Sequence, residues 1–291
     1  MNSWRDLKVN KLEEANIIIA SIAYDLATSV GKGAANAPEK LRSLSYHLPA
    51  ATMDGKSLKG LNIYDIGNIA DNKTGLVDVE KKAAEIFKYD KFPIFIGGDH
   101  SVSIPLQKAF YEYALKKGKI PAIIHIDAHL DFCDVYDNSK FSHACTNYRA
   151  FEAGYNLEDI VLIGIRSFEE QELELVNKHP ELEVISASMI NDGRIDVVEK
   201  LLKKFDDRYL IYLSFDIDAI DPSFAPGTGT PEAFGLSSRY VNNLINELIK
   251  SLPIAVWDIV EIAPSLDIND ITSWAALKIM YEVFYTLKKR K

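Results

Sequence analysis

Three short stretches of the sequence concentrate side chains that can do chemistry. Gly97-Gly98-Asp99-His100-Ser101 follows the apolar run Pro93–Ile96. Asp127-Ala128-His129-Leu130-Asp131 follows Ala122–Ile126. Asp216-Ile217-Asp218, continuing as Ala219-Ile220-Asp221-Pro222, follows Tyr209–Phe215. In an extended segment residues two apart share a face, so Asp127, His129 and Asp131 share one, and so do Asp216 and Asp218. If neighbouring strands end together, Asp127, Asp131, Asp216 and Asp218 bring four carboxylates into one place. At an effective dielectric of about 20, one like-charge pair about 4 Å apart costs on the order of 4 kcal/mol, so such a cluster needs cations. Two divalent ions would cancel the four charges. Carboxylates with imidazoles and no thiolate favour a hard or borderline ion such as Mn²⁺ over a structural zinc. Two ions about 3.5–4 Å apart can activate a shared water, which is the chemistry of metal-assisted hydrolysis.

Each motif taken singly has a plainer reading. Gly97-Gly98 can be a turn and His100 a satisfied core histidine. An Asp-x-Asp after a strand often caps a helix or lies in a surface loop. Three such motifs, each closing an apolar run, are not explained by solvated loops. His125, two residues before Asp127, reads as a core or supporting histidine, because His100 and His129 already supply two imidazoles. His47 and His179 sit in polar helix-end contexts and carry no site.

The elements that must position these residues are legible as a pattern. Near-continuous apolar runs occur at Ile17–Ala23, Leu61–Ile66, Pro93–Ile96, Ala122–Ile126, Ile160–Ile165, Leu182–Ile185, Tyr209–Phe215 and Ile254–Ile262. Such runs predict strands buried on both faces. Amphipathic stretches at Val77–Asp90, Ser103–Gly118, Arg194–Phe205 and Ser238–Leu252 predict helices, and a closing helix is predicted from Ile271 to the basic end at Lys291. Strand alternating with helix predicts an α/β fold with a parallel sheet, whose chemistry gathers at the carboxyl ends of the strands. With no low-complexity linker and no repeat, residues 1–291 read as one domain. The chain carries 33 Lys+Arg against 42 Asp+Glu, a net charge of −9, which argues against a nucleic-acid partner and suits a cationic substrate. No apolar run approaches a membrane span, and the opening MNSWRDLKVNKLEE lacks the apolar stretch of a signal peptide. Two cysteines, Cys133 and Cys145, are too few for a disulfide framework, so a cytoplasmic setting is expected.

GGDHS, DAHLD and SFDIDAIDPSFAPGTGTPE resemble, in that order, the three signatures of the ureohydrolases, the family of arginases and agmatinases. The resemblance extends from the segment Gly31–Arg42 to Glu261. It implies a three-layer α/β/α fold around an eight-stranded parallel sheet, the same number as the apolar runs. It implies a binuclear manganese centre, with one ion on His100, Asp127, Asp131 and Asp216 and the other on Asp127, His129, Asp216 and Asp218. Asp131 would also orient the attacking water. Glu261 matches the glutamate that pairs with the substrate guanidinium, a planar cation that suits a two-oxygen acceptor. Its plainer reading is a strand-end salt bridge. His143, in Ser142-His143-Ala144-Cys145, matches the histidine that shuttles protons, with Ala144 where many relatives carry Gly. The resemblance further implies a homotrimer or homohexamer.

The part of the site that would hold the rest of the substrate is less uniform. Cys133 stands where arginases carry an Asn that helps hold an amino-acid head group. Asp134 and Asp137 follow it and suit a terminal ammonium, with Lys140 as a counterexample. Pro226–Glu232 resembles the agmatinase branch, while Lys32 and Asn36 depart from the usual glycine-rich loop. The expectation is therefore hydrolysis of agmatine to putrescine and urea, with Asp134, His143 and Glu261 binding substrate. Guanidinobutyrase and arginase activities are the alternatives within the family. Outside it stand a metallophosphoesterase, whose Asp-x-His should precede rather than follow the GGDHS motif, and a non-catalytic relative. Cys133 and Cys145 read as buried thiols, with oxidation sensitivity as the alternative.

Overall fold

The computed structural model describes residues 3–89 and 91–290. The apolar runs become strands of one parallel sheet: β1 (Lys8–Val9), β2 (Ile17–Ala23), β3 (Ile63–Asp71), β4 (Phe92–Ile96), β5 (Ile120–Ile126), β6 (Ile160–Ile165), β7 (Glu183–Ser186), β8 (Tyr209–Asp216) and β9 (Ile254–Val260). Their order is β1-β3-β2-β4-β9-β8-β5-β6-β7, with every pairing parallel. The sheet thus has nine strands where eight were expected. The extra one is a two-residue edge strand, Lys8–Val9, pairing with β3 at Ile63 and Tyr64; two residues are too short to leave a periodicity. The run at Leu61–Ile66 also proves longer, as Ile63–Asp71.

The helices are α1 (Ala37–Ser45), α2 (Val79–Ile86), α3 (Ser103–Lys116), α4 (Thr146–Ala153), α5 (Glu170–Lys178), α6 (Ala187–Asn191), α7 (Val197–Lys204), α8 (Ser238–Ser251) and α9 (Ile271–Lys289). The expected ends at Asp90 and Lys291, like Met1 and Asn2 of the opening segment, lie outside the described residues. Alternation along each strand splits the core in two. Ile17 and Ile19 of β2 pack with α1, α8 and α9 on one face, whereas Ile18, Ala20 and Ile22 pack with α2 and α3 on the other. Among the described residues, no helix is long and apolar enough to cross a membrane.

This topology sets the position of the site. β4 and β5 are consecutive among the strands, yet β9 and β8 lie between them in the sheet. The crossover opens a crevice above the carboxyl ends of four adjacent strands, where open α/β sheets bind ligands. All three motifs and Glu261 leave those four strands. Two close approaches fix the loops there. A Cβ on Gly98 would lie 1.7 Å from the Tyr24 carbonyl oxygen, and one on Gly229 would lie 2.6 Å from that of Gly31. Gly31 is therefore packed against backbone rather than being a loose turn. Arg42 closes the same segment structurally: its Nε and Nη2 donate to the two Asp65 oxygens, each at 2.8 Å.

Candidate metal centre and cavity

His100 enters from a turn after β4, and its Nδ1 lies 3.0 Å from Asp127 Oδ2 and 3.1 Å from both Asp131 Oδ2 and Asp216 Oδ2. His129 Nδ1 lies 3.1 Å from Asp218 Oδ2 and 3.4 Å from Asp127 Oδ1. Five of the six residues singled out as ligands fall in two groups that share Asp127, and the sixth, Asp216, meets the first group through His100. His125 joins the first group: its Nε2 is 2.9 Å from Asp127 Oδ2, and its ring stacks on that of His100 with centroids 4.7 Å apart. Local turns aim the carboxylates. The Asp218 amide donates to Asp216 Oδ1 at 2.8 Å, and the His129 amide donates to Asp127 Oδ1 at 2.6 Å.

The residues present fit metal ions on two counts. Asp127 Oδ2 is buried and accepts no hydrogen bond, although two imidazole nitrogens stand within 3.0 Å of it. A buried, unpartnered carboxylate oxygen is costly unless a cation meets it. The charges are also unbalanced. Burial and the charges of Asp218 and Asp127 push the Asp216 carboxyl well above the usual range, and burial with Asp127 raises Asp218. For His100, burial opposes the charged ring, but Asp127, Asp131 and Asp216 outweigh it and raise the imidazole far above its ordinary value. These opposed shifts are those of a donor set whose negative charges call for a cation.

Beneath the cluster a buried network orients His100. Its Nε2 lies 2.9 Å from Ser214 Oγ, which donates to Asp258 Oδ1 at 2.8 Å; Ser103 Oγ and Tyr212 OH donate to Asp258 Oδ2. Ser214 and Asp258 lie inside apolar strands, and their only trace in the sequence is a polar residue in each run.

Glu261 directly follows β9 at the same edge. Its Oε1 accepts from the His100 amide at 2.9 Å and lies 2.9 Å from His143 Nδ1, whereas the buried Oε2 has no partner. Burial disfavours the charged His143 ring, but Glu261 and, more weakly, Asp131 and Asp99 reverse this and raise it to about 9. Asp131 and Glu261 both have left-handed backbone, with φ of 52° and 61°. For non-glycine residues that costs about 1–2 kcal/mol each, and such outliers cluster at functional sites.

A cavity of about 300 Å³ opens over this floor. His129, Asp131, Asp216 and Asp218 form its base, with His143 and Ser29 on one wall. Outward, Tyr136, Glu169, Glu172 and Glu232 line it. Asp134, expected to bind substrate, does not line this cavity. Arg149 Nη2 donates to it, Lys140 stands 3.4 Å away, and these cations hold its carboxyl below the usual range. The outer acidic groups of the cavity are Glu169 in the loop after β6, Glu172 in α5 and Glu232 in the loop after β8. Cys133 and Cys145 are free and buried, and burial raises both thiols, Cys145 to about 11, so neither is a ready thiolate. His47 is exposed and His179 pairs with Glu181 at 2.9 Å, both away from the site.

A family model described as "Arginase family" matches residues 15–285. The chain belongs to the arginase family. An agmatinase of Neisseria gonorrhoeae is 34% identical over 289 residues, covering 95% of this chain and 89% of the relative. The agmatine ureohydrolase of Thermoplasma volcanium superposes with a TM-score of 0.85 at 30% identity, covering 99% of this chain and 95% of its own. Formimidoylglutamase of Bacillus subtilis reaches a TM-score of 0.87 at 23% identity, covering 99% and 92%. At that identity the likeness concerns the fold alone, and it shows that the arginase fold does not by itself select a substrate. With its family and agmatinase-named relatives, this chain is a ureohydrolase, an enzyme acting on guanidino groups.

Proposed function

We propose that this arginase-family enzyme is an agmatinase, hydrolysing agmatine to putrescine and urea with two Mn²⁺ ions. The observation that carries the reading is a buried, unpartnered Oε2 on Glu261, whose other oxygen meets the cavity-lining His143, together with an acidic cavity mouth. The first suits a guanidinium; the second, through Glu169 and Glu232, suits a distal ammonium and opposes a distal carboxylate. The agmatinase names of the relatives support the same substrate.

The ions would rest on His100, Asp127, Asp131 and Asp216 and on Asp127, His129, Asp216 and Asp218. When bound they supply Lewis acidity and lower the pKa of water. The chain supplies the rest. Glu261 holds the guanidinium and faces its carbon toward the floor. Asp131 accepts a hydrogen bond from the attacking water and orients it. His143 delivers a proton to the leaving amine nitrogen, so the carbon–nitrogen bond breaks to a neutral amine. In the cell we place the enzyme in the cytoplasm, feeding polyamine synthesis as a homotrimer or homohexamer, which light scattering would test.

The deciding experiment measures urea release by the manganese-loaded protein from agmatine, arginine and 4-guanidinobutyrate. We expect the highest kcat/KM with agmatine. A preference for either carboxylate-bearing substrate overturns the agmatine assignment while leaving guanidino hydrolysis in place. Absence of urea from all three, with metal bound, overturns both.

A further inference from the structure

His143 is gripped by a segment that the mechanism above does not use. The strap at residues 24–33 runs over it from the end of β2. Its anchors are buried: the Ala27 amide donates to Asp99 Oδ2 at 2.8 Å, the Asp99 amide donates to the Tyr24 carbonyl at 2.8 Å, and the Gly33 amide donates to Asp25 Oδ2 at 2.9 Å. Asn72 completes the frame by exchanging two hydrogen bonds with Asp25, each 2.9 Å. The His143 amide donates to the Ala27 carbonyl at 3.2 Å. So fixed, the strap places the Ser29 amide 3.2 Å and Ser29 Oγ 3.0 Å from His143 Nε2.

A backbone amide only donates. In the neutral ring Nε2 must therefore present its lone pair, with the ring proton on Nδ1, donated to Glu261 Oε1. The geometry points to Ser29 as a positioning residue that fixes this tautomer of His143 and lets Nε2 gain and lose a proton. This rests on the proton-transfer role given to His143 above. The two Ser29 groups behave differently when Nε2 becomes protonated. The amide then faces another donor and its bond is lost. The hydroxyl can turn its hydrogen away and accept from Nε2–H. The proton gained at Nε2 is one released by the attacking water. It passes to the leaving amine nitrogen, which restores the Nδ1–H ring with no change of oxidation state. Glu261 after β9, Asp131 after β5 and Asp99 after β4 are the charged groups that favour the protonated ring, and the Ser29 amide opposes them.

The test compares Ser29→Ala and Ser29→Thr with the unaltered manganese-loaded enzyme. Ser29→Ala keeps the amide and removes the one partner, among the described residues, able to accept from Nε2–H. We expect kcat to fall about tenfold, with KM changed less than about threefold. The limb of the kcat profile that falls at high pH should move to lower pH, because the protonated ring has lost an acceptor. Ser29→Thr, which keeps the hydroxyl, should restore both. An unmoved pH profile in Ser29→Ala, or a loss that Ser29→Thr does not rescue, overturns the assignment. Ring-nitrogen NMR of the magnesium-loaded protein reads the tautomer without any substrate. Recorded above the ring's pKa of about 9, the neutral ring is expected to carry its proton on Nδ1 of His143, and a proton on Nε2 overturns the proposal even if urea is released. Failure of the wild type to release urea, with the Nδ1–H tautomer present, instead counts against the agmatinase reading.

Discussion

The floor of the cavity and its rim are built by different rules. The floor is made of the last residue of β8 and residues one to five positions beyond β4, β5, β8 and β9, strands whose pairing fixes the ends relative to one another. His100, Asp127 and Asp216 are at most 2% exposed, and their neighbours leave them little freedom. The rim is made of side chains from longer loops, where Glu169 and Glu232 face the cavity and Asp134, only three residues beyond Asp131, turns away to Arg149. Nearness in sequence therefore places a residue on the floor but not on the rim. Chemistry should be intolerant of change at the floor, and substrate preference should be adjustable at the rim.

This contrast orders the expected effects. Asp127→Ala, which removes the carboxylate common to both donor groups, should lower kcat by at least about a thousandfold and reduce bound manganese measured by elemental analysis. Retention of both metal and activity would mean that the floor is not the site. Glu261→Gln should lower kcat/KM for agmatine by about a hundredfold, since a charged hydrogen-bond partner of the guanidinium is lost. At the rim, Glu169→Gln combined with Glu232→Gln should raise KM for agmatine about fivefold with kcat nearly unchanged, and the effect should shrink in high salt. Asp134→Asn should leave both constants within about twofold; a larger effect would return Asp134 to the site.

The smallest effect concerns pH and stability. Burial raises the Glu172 carboxyl, between rim and floor, to about 7, even though the Phe132 and Glu169 amides donate to it. A carboxyl whose folded pKa lies above its unfolded value favours the folded state most when protonated. Its contribution is present below the unfolded pKa near 4.5 and is lost as pH rises through about 7. Denaturation of Glu172→Gln beside the wild type should therefore show a flatter decline across that window.

The floor was legible in the sequence because its residues sit at fixed offsets from continuous apolar runs, and a period-two pattern says which of them share a face. Glu261 was legible for the same reason. The rim is less legible: at Asp134 composition shows which charges are near in sequence, not which cation will pair with them, and Arg149 comes from α4, a helix without a clear amphipathic signal. The strap over His143 was invisible for another reason. Its contacts to Asp99 and His143 run from backbone amides to side chains more than 70 residues away, and Ser29 carries no mark that distinguishes it from any turn serine. The left-handed backbone of Asp131 and Glu261 is likewise imposed by the surrounding strands, not by preferences of Asp or Glu.

Arg166, just after β6, donates to five carbonyl oxygens: Asp218 at 2.7 Å, Glu232 at 2.9 Å, Ala233 at 3.0 Å, Gly164 at 3.2 Å and Ala219 at 3.3 Å. One guanidinium thus bolts the backbone of a floor residue to the backbone of a rim residue. The contacts involve main chain only, so side chains at position 232 can be exchanged without loosening the bolt. A lengthened loop between residues 219 and 232 cannot, because it would pull on Asp218. New substrate preferences are therefore accessible by substitution on an unchanged loop course, and the floor is insulated from that change as long as Arg166 stays in place.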